Sequence, residues 1–236
     1  MTENNSLENY IKKYPWPRRR FIRGVFTTGI DLVGAILTRW EVMGKENIPD
    51  KGPLLIVGNH FSFLDTVAPI HATRLPLEFI GDFEMPNAPP IMRVFPNGWQ
   101  TLKIEQGTPN FEALSASEAV LAQGGVLVIY PEGHVHKGPL NPALPGAAFM
   151  ALRTGAPILP MGTISDNEWK LFKTITENKR RLGIRTKIGK IFGPLAAKNP
   201  NRPSREEIRE AGRLIMTKIA ELLPKEYRGE FDPETA

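Results

Sequence analysis

The chain has no cysteine, only four histidines and no apolar run that approaches the length of a bilayer span. Each shortage closes off some chemistry. Without cysteine there is no disulfide framework, no zinc–thiolate site and no thiol nucleophile, and nothing calls for an oxidising compartment. A spanning helix needs about twenty largely apolar residues, so none is expected. The opening MTENNSLENY lacks the basic and apolar regions of a secretory signal, so secretion is not expected either. Internal repeats and low-complexity segments are also missing.

What the chain does hold is ample core-forming material: 41% of its 236 residues are hydrophobic, enough for one large domain with appendages. The formal charge of +5 favours an anionic partner. Basic residues cluster twice. Lys12, Lys13, Arg18, Arg19, Arg20 and Arg23 are interleaved with Tyr10, Tyr14 and Trp16 and lead into FIRGVFTTGIDLVGAILTRW. Headgroup-level aromatics, cations and an apolar stretch interrupted by Arg23 and Asp31 suggest a helix lying in an anionic membrane interface. The competing reading is a solvated arm followed by a helix packed on the core. The second cluster, NKRRLGIRTKIGK, reads either as a solvated hairpin or as a face toward lipid headgroups or a ligand's phosphates. No stacking motif or helix-turn-helix pattern accompanies the charge, so nucleic acid is not an expected partner.

From about residue 41 the pattern alternates between strands and helices. LLIVG (54–58), LEFIG (77–81), VLVIY (126–130) and PILPMGTI (157–164) are continuous apolar runs bounded by Gly and Pro, the mark of buried strands in a mostly parallel sheet. Helices are expected from Phe63 to Thr73, from Phe111 to Gln123 behind an Asn110 cap, and from Gly146 to Thr154, with Gly124 and Gly155 at C-terminal caps. RTKIGKIFGP (185–194) reads as a late strand. Ser204 and Glu207 form a capping box for a last helix that Pro224 stops, and KEYRGEFDPETA reads as a frayed tail. The expected fold is α/β: a mostly parallel central sheet flanked by helices. Residues 1–40 form an N-terminal interfacial region, 41–224 the main domain and 225–236 the tail.

Two strand ends carry polar chemistry. In IVGNHFSFLDT, the strand stops at Gly58, Ser62 and Asp65 have the spacing of a capping box, and His60 lies in the turn between. Asp65 in the first helical turn can orient the His60 ring and support the charge it gains as a general base. The alternative is that Ser62 and Asp65 only cap while His60 bonds to backbone. The second strand end is VLVIYPEGHVHKG. Glu132 either binds a polar substrate group or organises the loop, and Gly133 allows close backbone approach to a ligand. His134 and His136 have the His-x-His spacing of some metal sites and would point the same way from a strand. A metal-dependent hydrolase built on His60, Asp65, His134 and His136 is therefore one rival reading, and a peripheral membrane module with a degenerate site is another. A serine hydrolase is disfavoured, because Ser62 lies in no G-x-S-x-G elbow.

Together, NHFSFLD and the later YPEG, each after an apolar strand, resemble the first and third motifs of the glycerolipid acyltransferases, the lysophosphatidic-acid acyltransferase family. The resemblance covers about residues 41–195, with EVMGKENIP before the first motif and PILPMG in the place of the fourth. It implies transfer of an acyl group from a coenzyme A or acyl-carrier-protein thioester to a hydroxyl, usually of a lysophospholipid, by a peripheral enzyme on the cytoplasmic side of a membrane. No cofactor beyond that co-substrate is implied. It makes His60 the general base, Asp65 its orienting partner, and Glu132 and Gly133 part of the acceptor-side motif; Asn59, Ser62, Lys103, Gln106 and His134 complete the expected substrate-binding set. The third motif usually ends in Thr-Arg where this chain has His134 and Val135, and Gln106 stands where the second motif has its Arg. Neither replacement offers the guanidinium fork that grips a phosphate, although Lys103, His134, His136 and Lys137 are candidates for a point charge, so the acceptor is either lysophosphatidate or a lipid with another headgroup. With an ordinary imidazole, the rate would fall as pH drops through about 6.5.

Overall fold

The computed structural model describes residues 2–81, 98–103, 111–166 and 181–233. Helix α1 (Thr2–Lys13) and α2 (Arg20–Leu37) precede seven strands: β1 (Thr38–Met43), β2 (Leu54–Gly58), β3 (Leu77–Gly81), β4 (Leu102–Lys103), β5 (Val126–Ile129), β6 (Ile158–Ser165) and β7 (Leu182–Ile188). Between and after them lie α3 (Phe63–Thr73), α4 (Phe111–Ala122), α5 (Pro145–Thr154) and α6 (Arg205–Ala220). The strands form one sheet in the order β1-β7-β6-β2-β5-β3-β4. All neighbours run parallel except the β6–β7 hairpin.

Every residue of β2 and β5 is buried, because helices cover both faces of the sheet and each side chain meets apolar neighbours. Leu55, Val57, Leu127 and Ile129 point to one side, against Ala113 and Ala116 of α4, Met150 of α5 and Ile215 of α6. Leu54, Ile56, Val126 and Val128 point to the other, where Ile70 of α3 and Trp99 lie. The alternation follows from the two-residue repeat of the strand. Next to the edge strand β1, β7 instead alternates, with Leu182, Ile184, Thr186 and Ile188 buried and Arg185 and Lys187 exposed.

Most expected elements are present with small changes of boundary. The late strand starts earlier, at Leu182, and stops at Ile188; beyond it Phe192 makes only an isolated bridge to Ile158. Arg181, Arg185 and Lys187 of the second basic cluster lie at or within this hairpin strand, while 167–180 and the Asn110 cap fall outside the described residues. Gly124 and Gly155 adopt positive φ, as expected of helix C-caps. Residues 225–233 of the tail are not frayed. Lys225–Tyr227 and Gly229–Phe231 form short 3-10 helices, Phe231 is buried, and Arg228 pairs with Asp232.

The N-terminal region is fastened to the same body, and β1 follows α2 without a linker. Glu78 on β3 is fully buried, and its carboxylate accepts from Arg18 and Arg23. Arg23 also donates to the carbonyls of Leu77 and Trp99, and Arg19 to that of Gly98. Lys13 pairs with Glu112 of α4. Four of the six cations in the first cluster thus bind protein oxygen, because α1 and α2 return across the sheet; Lys12 and Arg20 are exposed.

Breaking a buried ionic group by removing one partner strands the others. Glu78→Gln is expected to lower unfolding free energy by about 3–5 kcal/mol. Urea denaturation checks this, and an unchanged midpoint with unchanged slope would contradict the assignment.

Candidate active site

Adjacent parallel strands end on the same edge of the sheet, so β2 and β5 deliver their following turns side by side. After β2, Asn59 is clasped to β6: its amide donates to the Thr163 carbonyl and accepts from the Thr163 N–H, both at 2.8 Å. Thr163 in turn bonds Thr186, which accepts from the Trp40 indole. Asn59 is 1% exposed and both ends of its amide are used by backbone, so it anchors the turn instead of facing a substrate. Ser62 likewise caps α3. Its hydroxyl accepts from Leu64 N–H while the Asp65 carboxylate accepts from Ser62 N–H at 2.7 Å, completing the expected capping box.

This capping fixes the His60–Asp65 geometry. Nδ1 of His60 lies 3.8 Å from Oδ2 of Asp65, beyond the roughly 3.2 Å reach of an N–H···O bond. The ring keeps 15% of its surface, yet Nδ1 itself is buried with no hydrogen-bond partner. Below it the Tyr130 ring stacks at 4.3 Å between centroids, and the Tyr130 hydroxyl donates to the Asp65 carbonyl at 2.6 Å. Tyr130 thus supports both members of the pair, a role that its place at the end of an apolar run did not reveal.

Burial pushes the His60 imidazole down to about 4; Glu132 opposes this, while His136 and His134 add to it. Burial also pushes the Asp65 carboxyl well above its ordinary range, against the pull of the Ser62 and Phe61 N–H groups. The sequence-based figure near 6.5 therefore does not apply: desolvation, invisible locally, keeps this ring neutral across the physiological range.

Glu132 is 1% exposed and organises the loop. Its carboxylate accepts from His60 N–H at 2.8 Å and Asn141 N–H at 2.9 Å, and it bonds Nε2 of His136. The His136 N–H returns to the His60 carbonyl at 3.1 Å, so the His60 peptide is held on both sides. Gly133 has φ of 76°, and an added Cβ would lie 2.3 Å from Leu144. The positive φ is what favours glycine here, with Leu144 as the nearest neighbour on that side. Residues 134–137 do not form a strand; His134 and Val135 are exposed, and the His134 and His136 rings sit 5.7 Å apart, tilted. Among the described residues no three His, Asp or Glu side chains converge on a metal position.

Lys103 ends β4, beyond β3 from β5, while Gln106 lies outside the described residues. Behind Asp65, a small space lined by Ile56, Pro69, Val128, Met161 and Thr163, among others, has room for about one water molecule and is too small for an acyl chain. Tyr227, from the tail, stacks on Phe61 at 5.4 Å beside this turn.

Known proteins resemble this chain in sequence and in fold. A 1-acyl-sn-glycerol-3-phosphate acyltransferase of Borreliella burgdorferi is 26% identical over 131 residues, which are 54% of this chain and 52% of that protein. The match thus spans about half the length of that relative. The crystal structure of the 1-acyl-sn-glycerophosphate (LPA) acyltransferase PlsC from Thermotoga maritima superposes with a TM-score of 0.54 at 21% identity, covering 93% of this chain and 87% of that one; it shares the fold. The sequence model of the family described as Acyltransferase matches residues 39–164, more than half of the chain and both strand-end turns. The chain belongs to the acyltransferase family.

Proposed function

We propose that the protein transfers a fatty acyl group from an acyl-CoA or acyl-carrier-protein thioester to a hydroxyl of a lysophospholipid or related lipid, with His60 as general base. The observation that carries this reading is the His60 ring at the β2 strand end, held neutral by burial, with its peptide clamped and Asp65 3.8 Å from an unpartnered Nδ1. Nε2 of the neutral ring takes the acceptor proton as the hydroxyl oxygen attacks the thioester carbonyl. The C–S bond then breaks and the imidazolium returns the proton to the leaving thiolate, so no acyl-enzyme forms.

An isolated imidazole near 4 is a weak base; Asp65 supplies what it lacks. Burial makes that carboxylate costly to ionise alone, so it gains most when a cation appears beside it. Closing the gap to Nδ1 as Nε2 is protonated stabilises both charges together in the transition state. Val135 is exposed where the resembling motif has its arginine, which favours an acceptor other than lysophosphatidate, such as a glycolipid, an amino-lipid or another lipid alcohol.

The membrane reading rests on α2, whose polarity is reversed. Arg23 and Asp31 face inward, to Glu78 and to His71 and Arg74, whereas Phe21, Val25, Leu32, Val33 and Ile36 are exposed. An apolar outer stripe fits partial burial in a lipid surface, with the protein docked peripherally on the cytoplasmic side. Among the described residues no helix is long and apolar enough to cross a membrane.

His60→Ala is expected to lower acceptor-dependent thiol release from acyl-CoA or acyl carrier protein by about 10²–10⁴-fold; release that survives unchanged sinks the mechanism. Because the neutral ring is the active form, kcat/KM is expected to stay level from pH 8 to 5 and fall only toward pH 4. A fall centred near pH 6.5 would contradict the buried base. Replacing Phe21 and Leu32 together by serine is expected to weaken vesicle binding at least about tenfold on neutral and anionic lipid alike. Undiminished flotation would place the contact elsewhere. Point changes suit this test, because deleting α1 and α2 would leave Glu78 buried without its arginines.

A further inference from the structure

The proposed chemistry has no use for His136, yet this side chain is bound at both ring nitrogens. Nε2 contacts the Glu132 carboxylate and Nδ1 lies 2.9 Å from the Lys137 carbonyl. Both partners are acceptors. Glu132 already accepts two backbone N–H groups, an arrangement that suits its ionised form. A neutral imidazole carries one N–H and would turn a lone pair on one of these oxygens, whereas the imidazolium satisfies both.

Resting on the reading of His60 as base, we infer that His136 is a positioning residue: as an imidazolium it neutralises Glu132 and, through that carboxylate and its own N–H, fixes the His60 peptide and adds to the burial that keeps the ring neutral.

The groups facing His60 are Asp65 from α3, Tyr130 from the end of β5, and Glu132, His134 and His136 from the following loop. Of the loop groups, Glu132 is the anion, and it draws a proton toward His60 unless a cation cancels it. His136 is placed to do so, 12% exposed and packed edge-on against Phe61. The loop therefore keeps a cation close to where the resembling motif has its arginine, but turns it inward. With both N–H groups engaged within the protein, this cation offers none to an acceptor headgroup.

The test is an imidazole NMR titration of the full chain. In the wild type both ring nitrogens of His136 are expected at protonated shifts while the His60 ring is neutral; one unprotonated nitrogen overturns the inference without any variant. In His136→Gln, the His60 titration and the acid limb of kcat/KM are expected to move up together by about one pH unit. His136→Lys, which keeps the cation, should stay near wild type, and His134→Gln should move His60 less. An unmoved His60 titration in a His136→Gln protein with native circular dichroism also overturns it. The nitrogen shifts need no turnover, so a chain that releases no thiol with any donor or acceptor would defeat the acyl-transfer reading and leave this measurement standing.

Discussion

Glu132 is almost fully enclosed, and its two carboxylate oxygens collect donors from the turn after β2 and from the loop after β5. Charge-assisted bonds of this kind are worth about 1.5–3 kcal/mol each. A buried carboxylate that lost them would be left uncompensated, so the two turns cannot drift apart without a large cost. The parallel pairing of β2 with β5 sets the distance between them and the carboxylate sets their phase. Everything the candidate site needs follows: the His60 peptide is gripped from both sides, its ring lies on Tyr130, and Asp65 is held nearby by the cap of α3.

The buried strands and the helix that starts at Ser62 were legible because their signals are local. LLIVG and VLVI are continuous apolar runs, and S-x-x-D is a cap wherever a helix follows. β1 was not legible: TRWEVM continues the apolar pattern of α2, and its strand character comes from pairing with β7, far along the chain. β4, two residues long, has no pattern to read. The site residues divide the same way. His60, Asp65 and Glu132 stood out from motif and spacing, while Tyr130 and the inward turn of His136 depend on contacts between separate strand ends. Asn59 and Gly133 stood out by their place in the two motifs, while the backbone of Thr163 that clasps Asn59 comes from a separate strand and the positive φ of Gly133 shows only in the folded loop. Likewise, no local pattern announces how far burial moves the His60 imidazole.

The N-terminal basic cluster shows how composition misleads about placement. Arginines that suggest a lipid headgroup contact instead converge on Glu78, which needs two of them to be tolerated inside the sheet. That internal use of charge leaves the apolar side of α2 outward. The same ion pairs also tie the helix to β3, so a surface bound by α2 is mechanically continuous with the sheet that carries the two strand ends.

If Glu132 serves the reaction by holding His60, its removal matters only while His60 is there. A double-mutant cycle on acceptor-dependent thiol release tests this directly. Glu132→Gln is expected to lower kcat in the wild-type background and to cost nothing further once His60 is alanine. Equal losses in both backgrounds would show that Glu132 acts independently of His60, and would contradict the account.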